Sequence, residues 1–518
     1  GATTISAGTL LITGKLGNGS YSNTISNSGI LSYSSSSNQV LSGIISGTGS
    51  VVKAGTGTLT LSAMNTYSGG STVNAGTLFG GAASRSNTTF GSGAITVASG
   101  AKLWIDRTDD GVMTNTLNLN GGTLQGTNGF GEYWDGNIVL GADSIINNWY
   151  NFIVDGVISG SYGITKTQNG NLKLRATNTY TGDTTISSGT ITVSGLLGNG
   201  SYAGDISNSG TLVFNPSGSQ TLSGVISGSG DLTKSGSNTL LLSGTNTYTG
   251  DTTVSAGTLA ISSNDALGTV DGGTTVASGA TLDFQNVTYS TAEAVTLNGG
   301  TIKTSTGTSS FAGDITLGAD STLNVDGTQL TLSGVISDGA NDYDIEKTGS
   351  GILVLSGTNT FSGTTTISGG TISIAADAGL GAAPGSVVAT QLTLNGGTLS
   401  ATETFTLNAN RGITLGSSHG TINVANTKTL TVAGIVAGSY NFTASGAGTL
   451  ILTSASTYSG TTSVSSGTTF KISGSGSLGS VSSDVYTYAG QITNAGTFIY
   501  ASDATQVLSG KVTGVGSL

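Results

Sequence analysis

The chain has 518 residues, with 86 Gly, 2 Pro and no Cys, and only 8% of its residues are charged. The lack of Cys excludes disulfides and thiolate metal sites. The formal net charge of −11 comes from 26 acids and 15 bases spread thinly along the chain, which argues against nucleic-acid binding because that requires a clustered basic face. No apolar run approaches the ~20 residues that span a bilayer, and no signal peptide opens the sequence, so we expect any export signal to lie outside it.

The pattern of apolar residues predicts an all-β protein. Ser, Thr, Asn and Gly fill most of the other positions, and helix formers never gather into a 3.6-residue stripe. Short runs alternate instead: in Asn171-Leu-Lys-Leu174 the two leucines face one side and Lys173 the other. We therefore expect short strands and almost no helix.

A motif of about thirty residues recurs along the chain and is clearest over 228–259. Each copy contains a central aromatic residue, and successive aromatics are 113, 68, 113 and 97 residues apart. We call the five copies repeats 1 to 5; they lie near 41–78 around Tyr67, 156–191 around Tyr180, 222–259 around Tyr248, 332–372 around Phe361 and 433–470 around Tyr458.

The spacing of the repeats predicts a solenoid. Intervals of 68 and 113 differ by 45, which indicates a coil of roughly 22 to 23 residues with three strands and about 23 coils in all. If each repeat faces the same way, it returns only after whole turns, and the displacement of 181 between Leu16 and Leu197 is then eight turns. We expect residues 1–518 to form one continuous parallel β-helix that starts and stops within repeats.

Each repeat also carries turn and corner signals. Gly244, Gly250 and Gly257 are expected to adopt positive φ, and Asn-Thr-Tyr is expected to form a corner in which the Asn amide satisfies backbone groups. A lysine recurs at the same position of the motif in four copies and is replaced by Ala444 in the fifth. We interpret these four side chains, Lys53, Lys166, Lys234 and Lys347, as outward, solubilising charges.

These residues resemble the autotransporter-associated β-strand repeat, whose pattern runs roughly Gly-Leu-Thr-Lys-x-Gly-x-Gly-Thr-Leu-x-Leu-Ser-Gly-x-Asn-Thr-Tyr-x-Gly-x-Thr-x-Val-x-x-Gly-Thr-Leu. Residues 228–259 match at most positions, and repeat 5 matches loosely because Ser456 replaces the Asn. With the related spacers, the resemblance covers most of the chain.

The resemblance implies a passenger domain of the type V secretion system with a right-handed parallel β-helix. Such a passenger is exported through the outer membrane and serves adhesion, display or aggregation, while the repeat itself is thought to help folding and transport. It implies an extracellular or surface location, anchored through a translocator barrel that is not in this sequence. Host cells, neighbouring cells or glycans are the partners to expect.

Catalytic chemistry has little support in the sequence. The single histidine, His419, lies in a loop at 416–420, and we interpret it as an exposed loop residue because no second His could share a site with it. We expect no enzyme activity and no cofactor. The alternatives are a self-assembling extracellular fibre, favoured by low charge and Thr/Ser ladders, and a polysaccharide-binding or polysaccharide-degrading β-helix.

Two segments carry candidate sites. The spacer between repeats 1 and 2 contains all three Trp, with carboxylates and Arg nearby, which is the chemistry of a sugar-binding groove, although the same residues could fill a wider coil interior. The predicted glycan ligands are Trp104, Asp106, Arg107, Tyr133, Trp134, Trp149 and Tyr150, and the carboxylates of an enzymatic alternative are Asp106, Asp109 and Asp110. The second segment places Asp342, Asp344 and Glu346 at a period of two, so that all three could face one Ca²⁺, although a solvated loop is the competing interpretation.

Overall fold

The computed structural model describes residues 1–81, 89–106, 112–127 and 131–518. They divide into two compact units, unit 1 over Gly1–Thr252 and unit 2 over Thr253–Leu518. Helix within these ranges is limited to three short 3₁₀ turns, Gly17–Gly19, Gly198–Gly200 and Asp377–Leu380. No helix in the described ranges is long and apolar enough to cross a membrane.

Unit 1 consists of short strands that return to the same sheet once per coil. We group its strands by sheet, A to E, in the order in which the chain first enters each sheet. The strands are Thr3–Ile5, Ile25–Asn27 and Ile45–Ser46 in sheet A; Thr9–Ile12, Ile30–Tyr33, Ser50–Lys53, Ser71–Val73, Ile95–Ala98, Leu117–Asn120, Ile138–Ala142 and Ile158–Gly160 in sheet B; Ser20–Tyr21, Gln39–Leu41, Thr58–Leu61, Thr77–Gly80, Lys102–Ile105, Thr123–Gly126, Ser144–Asn148, Ile164–Thr167, Thr184–Ile186, Ile206–Asn208 and Ile226–Ser227 in sheet C; Val112–Met113, Glu132–Trp134, Phe152–Val154, Asn171–Leu174, Thr190–Val193, Thr211–Phe214 and Asp231–Lys234 in sheet D; and Ser201–Tyr202, Gln220–Leu222 and Thr239–Leu242 in sheet E.

Unit 2 is built in the same way, and the strand Thr252–Val254 contains the boundary between the units. Within this unit we label the groups of paired strands as sheets F to K, independently of the labels used for unit 1. The strands are Gly273–Ala277, Ala294–Asn298, Ile315–Ala319 and Ile336–Ser337 in sheet F; Thr258–Ile261, Thr281–Phe284, Thr301–Thr304, Ser321–Val325, Ile345–Thr348, Thr365–Ile367, Val388–Leu394, Arg411–Leu415 and Val436–Ala437 in sheet G; Thr288–Tyr289, Thr308–Phe311, Gln329–Leu332, Ile352–Leu355, Thr371–Ile374, Thr398–Ala401, Gly420–Val424, Phe442–Gly446, Thr462–Val464, Ile492–Asn494 and Val512–Thr513 in sheet H; Phe405–Leu407, Thr429–Val432, Thr449–Leu452, Thr469–Gly474 and Thr497–Ser502 in sheet I; Ala455–Ser456 and Ser477–Leu478 in sheet J; and Ser480–Ser482, Val485–Tyr488 and Thr505–Leu508 in sheet K.

The predicted fold class is confirmed: the protein is an all-β solenoid of parallel strands with about 24 turns. The register commonly advances by 20 to 22 residues per turn, as where Ile30 pairs with Ser50 and Thr3 pairs with Ile25. Most turns are thus slightly shorter than the predicted 22 to 23 residues. The single continuous solenoid over 1–518 stays a prediction.

The alternation of apolar residues builds the interior. Leu172 and Leu174 are fully buried while Lys173 between them faces outward, as the sequence predicts. Within a sheet the inward residues of successive turns stack on like residues; Leu59 pairs with Leu78, and Leu78 pairs with Leu103. Burial of aliphatic side chains at about 25 cal/mol per Å² makes this inward column the main source of stability.

The repeats do not return after whole turns, and this corrects the sequence prediction. Repeat 1 has its paired strands in sheets B and C, repeat 2 in sheets C and D, and repeat 3 begins in sheets D and E; in unit 2, repeat 4 uses sheets G and H, and repeat 5 uses sheets H and I. The chain circulates through three sheets at a time, so each repeat advances by whole turns plus one third. Whole turns would be required only if the three faces of the coil differed. Each face instead accepts the same motif. The displacement of 181 residues likewise spans eight turns and two further faces, since Ser20–Tyr21 lies in sheet C and Ser201–Tyr202 in sheet E.

The Asn of each Asn-Thr-Tyr corner caps the end of a sheet, which confirms its predicted role. Its side-chain oxygen accepts a hydrogen bond from the backbone N–H at the start of the last strand of that sheet. The N–H donors are Ile45 to Asn65 (2.8 Å), Ile158 to Asn178 (2.9 Å), Ile226 to Asn246 (2.8 Å) and Ile336 to Asn359 (2.9 Å). The corner therefore takes the place of a strand, and sheets A, B, C and F end at repeats 1 to 4 in turn.

The glycines of the repeat serve two different needs. Gly257 has φ of 66°, as predicted. Gly244 and Gly250 do not have positive φ; an added Cβ there would instead lie 2.4 Å from the Gly224 carbonyl oxygen and 2.3 Å from that of Gly230. Close approach of the backbones of adjacent turns, not the turn conformation, thus requires these two glycines.

The aromatic residue of each repeat is buried, and in four repeats its hydroxyl group is used. Each tyrosine hydroxyl lies within hydrogen-bonding distance of a hydroxyl four residues later: Tyr67 with Ser71 (2.6 Å), Tyr180 with Thr184 (2.8 Å), Tyr248 with Thr252 (2.7 Å) and Tyr458 with Thr462 (2.8 Å). In repeat 4 the aromatic is Phe361, and the buried Thr365 hydroxyl has no partner among the described residues. The aromatic ring is buried in all five repeats, whereas the hydroxyl pair is present only in the four repeats that have Tyr.

Replacing Phe361 by Tyr is expected to raise the free energy of unfolding by about 0.5–1.5 kcal/mol, because it supplies the missing partner of Thr365. The reverse change at a sister site, Tyr248→Phe, is expected to lower it by about 1–3 kcal/mol, since it leaves the buried Thr252 hydroxyl unpaired. Denaturant unfolding followed by circular dichroism measures both. A Phe361→Tyr variant less stable than the parent would show that the cavity beside Thr365 cannot hold the hydroxyl.

The recurring lysines face inward, which overturns the prediction of an outward charge. Lys53, Lys166, Lys234 and Lys347 are all fully buried. Each amine donates hydrogen bonds to backbone carbonyls just after it in the chain, and Lys53, Lys166 and Lys347 also donate to a carbonyl one coil later. The acceptors are Gly55 and Ala75 for Lys53, Thr167, Gln168 and Ser188 for Lys166, Ser235 and Gly236 for Lys234, and Thr348, Gly349 and Gly369 for Lys347.

Burial changes the proton affinity of these lysines. It lowers the pKa of Lys53, Lys166 and Lys347 to about 8 from 10.5, and it also lowers the pKa of Lys234. Burial acts in the opposite direction on acids and raises the pKa of Tyr180 to about 12. Between about pH 8 and pH 10 the folded chain binds fewer protons than the unfolded chain. A buried lysine has lost its proton in this range, whereas an unfolded lysine keeps its proton until about pH 10.5.

We therefore expect stability to rise with pH from about 8 to about 10 and to fall above that, where unfolded tyrosines ionise and buried ones cannot. Each buried lysine contributes a slope of up to about 1.4 kcal/mol per pH unit in this window. Lys166→Met should remove the contribution of one lysine, and Lys173→Met, on the outward face of the same repeat, should leave the slope unchanged. Denaturant unfolding at a series of pH values measures the slope; equal slopes in the two variants would contradict the assignment.

Candidate functional site

Two of the three tryptophans lie on the outer surface of unit 1. Trp104 is half-buried on the outward side of its strand in sheet C, where its ring packs on Phe79 of the preceding turn with 4.4 Å between centroids. The Trp104 Nε1 donates a hydrogen bond of 2.8 Å to the Thr127 hydroxyl one turn later. This bond and the ring contact hold the indole on the outer side of the sheet, where it is partly exposed to solvent.

Trp149 and Tyr150 extend this surface, directly after the end of the strand Ser144–Asn148. The two residues are 51% and 53% exposed, which leaves about half of each available for contact. Trp104 pairs with Gln125, and Gln125 pairs with Asn147, so Trp149 lies two turns from Trp104 and two residues further along. Two turns at about 4.8 Å place the strands of the two indoles about 10 Å apart.

Asp106 lies in the same region as these rings. Its backbone N–H bonds to the Gly80 carbonyl, as that of Trp149 bonds to the carbonyl of Gly126. The register of sheet C therefore puts Asp106 in the same column as Thr127 and Trp149. We call Phe79, Trp104, Asp106, Trp149 and Tyr150 the outer aromatic surface.

The remaining predicted glycan ligands lie elsewhere. Trp134 is fully buried in the interior, and its indole N–H has no hydrogen-bond partner among the described residues. It therefore fills the coil, as the competing interpretation of the sequence holds, and it is not available to a ligand. Tyr133 is half-buried on sheet D, a different face from Trp104.

Three further residues of the predicted site cannot be placed. Arg107, Asp109 and Asp110 lie outside the described residues. The sequence prediction of a sugar-binding groove thus reduces to the outer aromatic surface. It missed Phe79, which no motif marks because it only becomes a neighbour of Trp104 through the strand register.

The predicted cation ligands each have a partner on the next turn. Asp342 accepts a hydrogen bond from the Ser362 hydroxyl (2.8 Å), Asp344 from the Thr364 N–H (2.7 Å) and Glu346 from the Ser368 hydroxyl (2.6 Å). Within the ranges that the structure covers, no group of three or more His, Cys, Asp or Glu is arranged to hold a metal ion. The three acids form a column that bridges two turns.

His419 is exposed, as the sequence predicts. It has φ of 70°, and its ring Nδ1 accepts a hydrogen bond of 3.2 Å from the backbone N–H of Asn441. The ring thus satisfies a donor at the corner of the next turn, a task that Asp and Asn side chains perform at other corners, as where Asp205 accepts from the N–H of Val225 at 2.8 Å.

Comparison with known proteins identifies the repeats. The family model of the Passenger-associated-transport-repeat matches residues 51–78, 164–193, 232–261, 345–374 and 442–469. These ranges coincide with the strand pairs of repeats 1 to 5 and with the corners that end the sheets.

A relative also matches over part of the chain. The adhesin BmaC autotransporter of Brucella suis biovar 1 (strain 1330) is 32% identical over 194 residues, which are 35% of this chain and 5% of the relative. The chain thus covers only a small part of the relative that it matches. No solved structure matches the chain significantly.

The repeats, the solenoid built from them and the similarity to this relative agree with one another. Together they show that the chain carries passenger-associated-transport-repeats and resembles an autotransporter passenger.

Proposed function

We propose that the chain belongs to a non-enzymatic, adhesin-like passenger that is displayed at the bacterial surface or secreted. The observation that carries this proposal is the recurrence of five passenger repeats in a chain that is similar to an autotransporter adhesin. We also propose that the passenger is held at the outer membrane through a part of the parent protein outside this sequence.

In this proposal the repeats and the spacers have different tasks. The repeats form the stalk, because their recurring polar groups, the Asn amide and the lysine amine, face inward and bond to the backbone. The spacer between repeats 1 and 2 presents the outer aromatic surface to a partner. Exposed indole and phenol rings beside a carboxylate suit the apolar faces and hydroxyls of a sugar, so glycans of a host or neighbouring cell are the proposed partners.

Beads coated with the purified chain are expected to adhere to cultured epithelial cells or to bacterial cells, and a glycan array should show retention on at least one glycan class. Trp149→Ala and Tyr150→Ala should each reduce adherence and glycan retention at least about fivefold, because they remove exposed aromatic area from the contact. Bead counts by flow cytometry and array fluorescence provide the two measurements.

Tyr162→Ala is the matched control, since Tyr162 is 45% exposed on the same unit but outside the outer aromatic surface. Adherence that is the same in all three variants would reject the aromatic contact surface while leaving the stalk untouched. Complete lack of adherence by the parent chain would reject the adhesin role for this part of the passenger.

The two alternatives from the sequence give different outcomes with the same purified chain. Concentration-dependent filaments in light scattering would replace the adhesin by a self-assembling fibre. Release of reducing ends from polysaccharides, lost on Asp106→Asn, would replace it by a polysaccharide-degrading enzyme.

A further inference from the structure

One hydroxyl group in unit 2 has more hydrogen-bond acceptors around it than it can serve. The Ser362 Oγ lies 2.8 Å from the Asp342 Oδ1, 2.8 Å from the Asn341 carbonyl oxygen and 3.2 Å from the Asp338 Oδ2. A serine hydroxyl has one proton and can donate only one hydrogen bond. Whichever oxygen accepts this proton, the other two lie near the hydroxyl without a hydrogen bond from it. At least one of these two oxygens belongs to a carboxylate.

The Asp338 carboxylate is also incompletely satisfied. Asp338 is only 2% exposed, and its Oδ2 accepts the Ser362 N–H at 2.9 Å. Its Oδ1 is buried and has no hydrogen-bond partner among the described residues. A buried carboxylate oxygen without a donor is costly, because desolvation disfavours the charged form.

Two of these side chains, Asp342 and Ser362, border an open groove. A cavity of about 410 Å³ is lined by Asp342, Asp344 and Ser362 on one side and by the 382–386 segment on the other. Arg411 fixes this second wall: its guanidinium pairs with Asp377 at 3.0 Å and donates to the Leu380 and Gly381 carbonyls. A solvated ion can thus reach the Asp342 and Ser362 oxygens from the groove, and the Asp338 Oδ2 lies 3.2 Å behind the Ser362 hydroxyl.

We propose that the oxygens of Asp338, Asn341, Asp342 and Ser362 bind a Ca²⁺ ion. A hard divalent cation accepts carboxylate, carbonyl and hydroxyl oxygens together, and it removes the need for shared protons among them. It also gives the buried Asp338 Oδ1 a positive partner. Water from the groove completes the coordination, since Ca²⁺ takes six to eight oxygen ligands in flexible geometry.

This site differs from the one expected from the sequence. Of the three acids at a period of two, it uses only Asp342. Asp344 and Glu346 have their own hydrogen-bond partners, Thr364 and Ser368. The decisive residue, Asp338, lies outside that pattern, four residues before Asp342.

Calorimetric titration of the purified chain with CaCl₂ is expected to show one site with a dissociation constant of about 10⁻⁴–10⁻³ M, the range of extracellular Ca²⁺ modules. Asp338→Asn and Ser362→Ala should each weaken binding at least tenfold, and Mg²⁺ should bind more weakly than Ca²⁺. Asp314→Asn is the matched control, because the Asp314 carboxylate also accepts a backbone N–H from the next turn, that of Val335 at 2.8 Å.

Thermal unfolding separates ion binding from a purely structural role. In EGTA, Asp338→Asn should melt at or above the parent temperature, since it removes a buried charge; in CaCl₂ only the parent should gain stability. A variant that is destabilised equally with and without Ca²⁺ would overturn the proposal. So would absence of binding at millimolar Ca²⁺, or binding that is lost in Glu346→Gln and kept in Asp338→Asn.

Discussion

The organisation of the solenoid depends on one hydrogen bond, from a backbone N–H at the start of a strand to the side-chain oxygen of an Asn on the following turn. This bond lets an irregular corner lie against a parallel strand without leaving a buried donor unpaired, as Asn178 does for Ile158. The corner can therefore end a sheet. Each repeat ends a sheet and has its own strands on the next face of the coil. Successive repeats therefore lie on successive faces as well as further along the chain.

The interior is more polar than the leucine columns suggest. Lysine amines, asparagine amides and tyrosine hydroxyls enter it at the corners, where the backbone has left the sheets and its carbonyls need donors. A lysine suits this position because its long apolar stem packs along the core while the amine reaches several carbonyls. The cost is a charge in a desolvated site, which the lowered pKa of Lys166, about 8, reflects.

The candidate binding residues lie mostly outside the recurring positions of the repeats. The recurring Asn, Lys and Tyr of the repeats are constrained by the corner and by the interior, so there is little freedom to vary them for binding. The spacer between repeats 1 and 2 carries the outer aromatic surface, and three of the four residues proposed to hold Ca²⁺ lie at 338–342, in a loop of repeat 4 that joins two strands. A binding residue is thus expected where the repeat pattern is interrupted.

The sequence by itself determined the fold class, the positions of the repeats and the role of the Asn. Each of these depends on local patterns, namely alternation such as Leu172-Lys-Leu174 and a motif that recurs at fixed spacing. Only the tertiary structure decided the direction of Lys53 and its counterparts, the burial of Trp134, the contact between Phe79 and Trp104, and the partial turn between repeats. The reason is physical. An alternating pattern shows that two faces of a strand differ, but at a corner the chain leaves that alternation. Which side chains meet there depends on the register between turns some twenty residues apart.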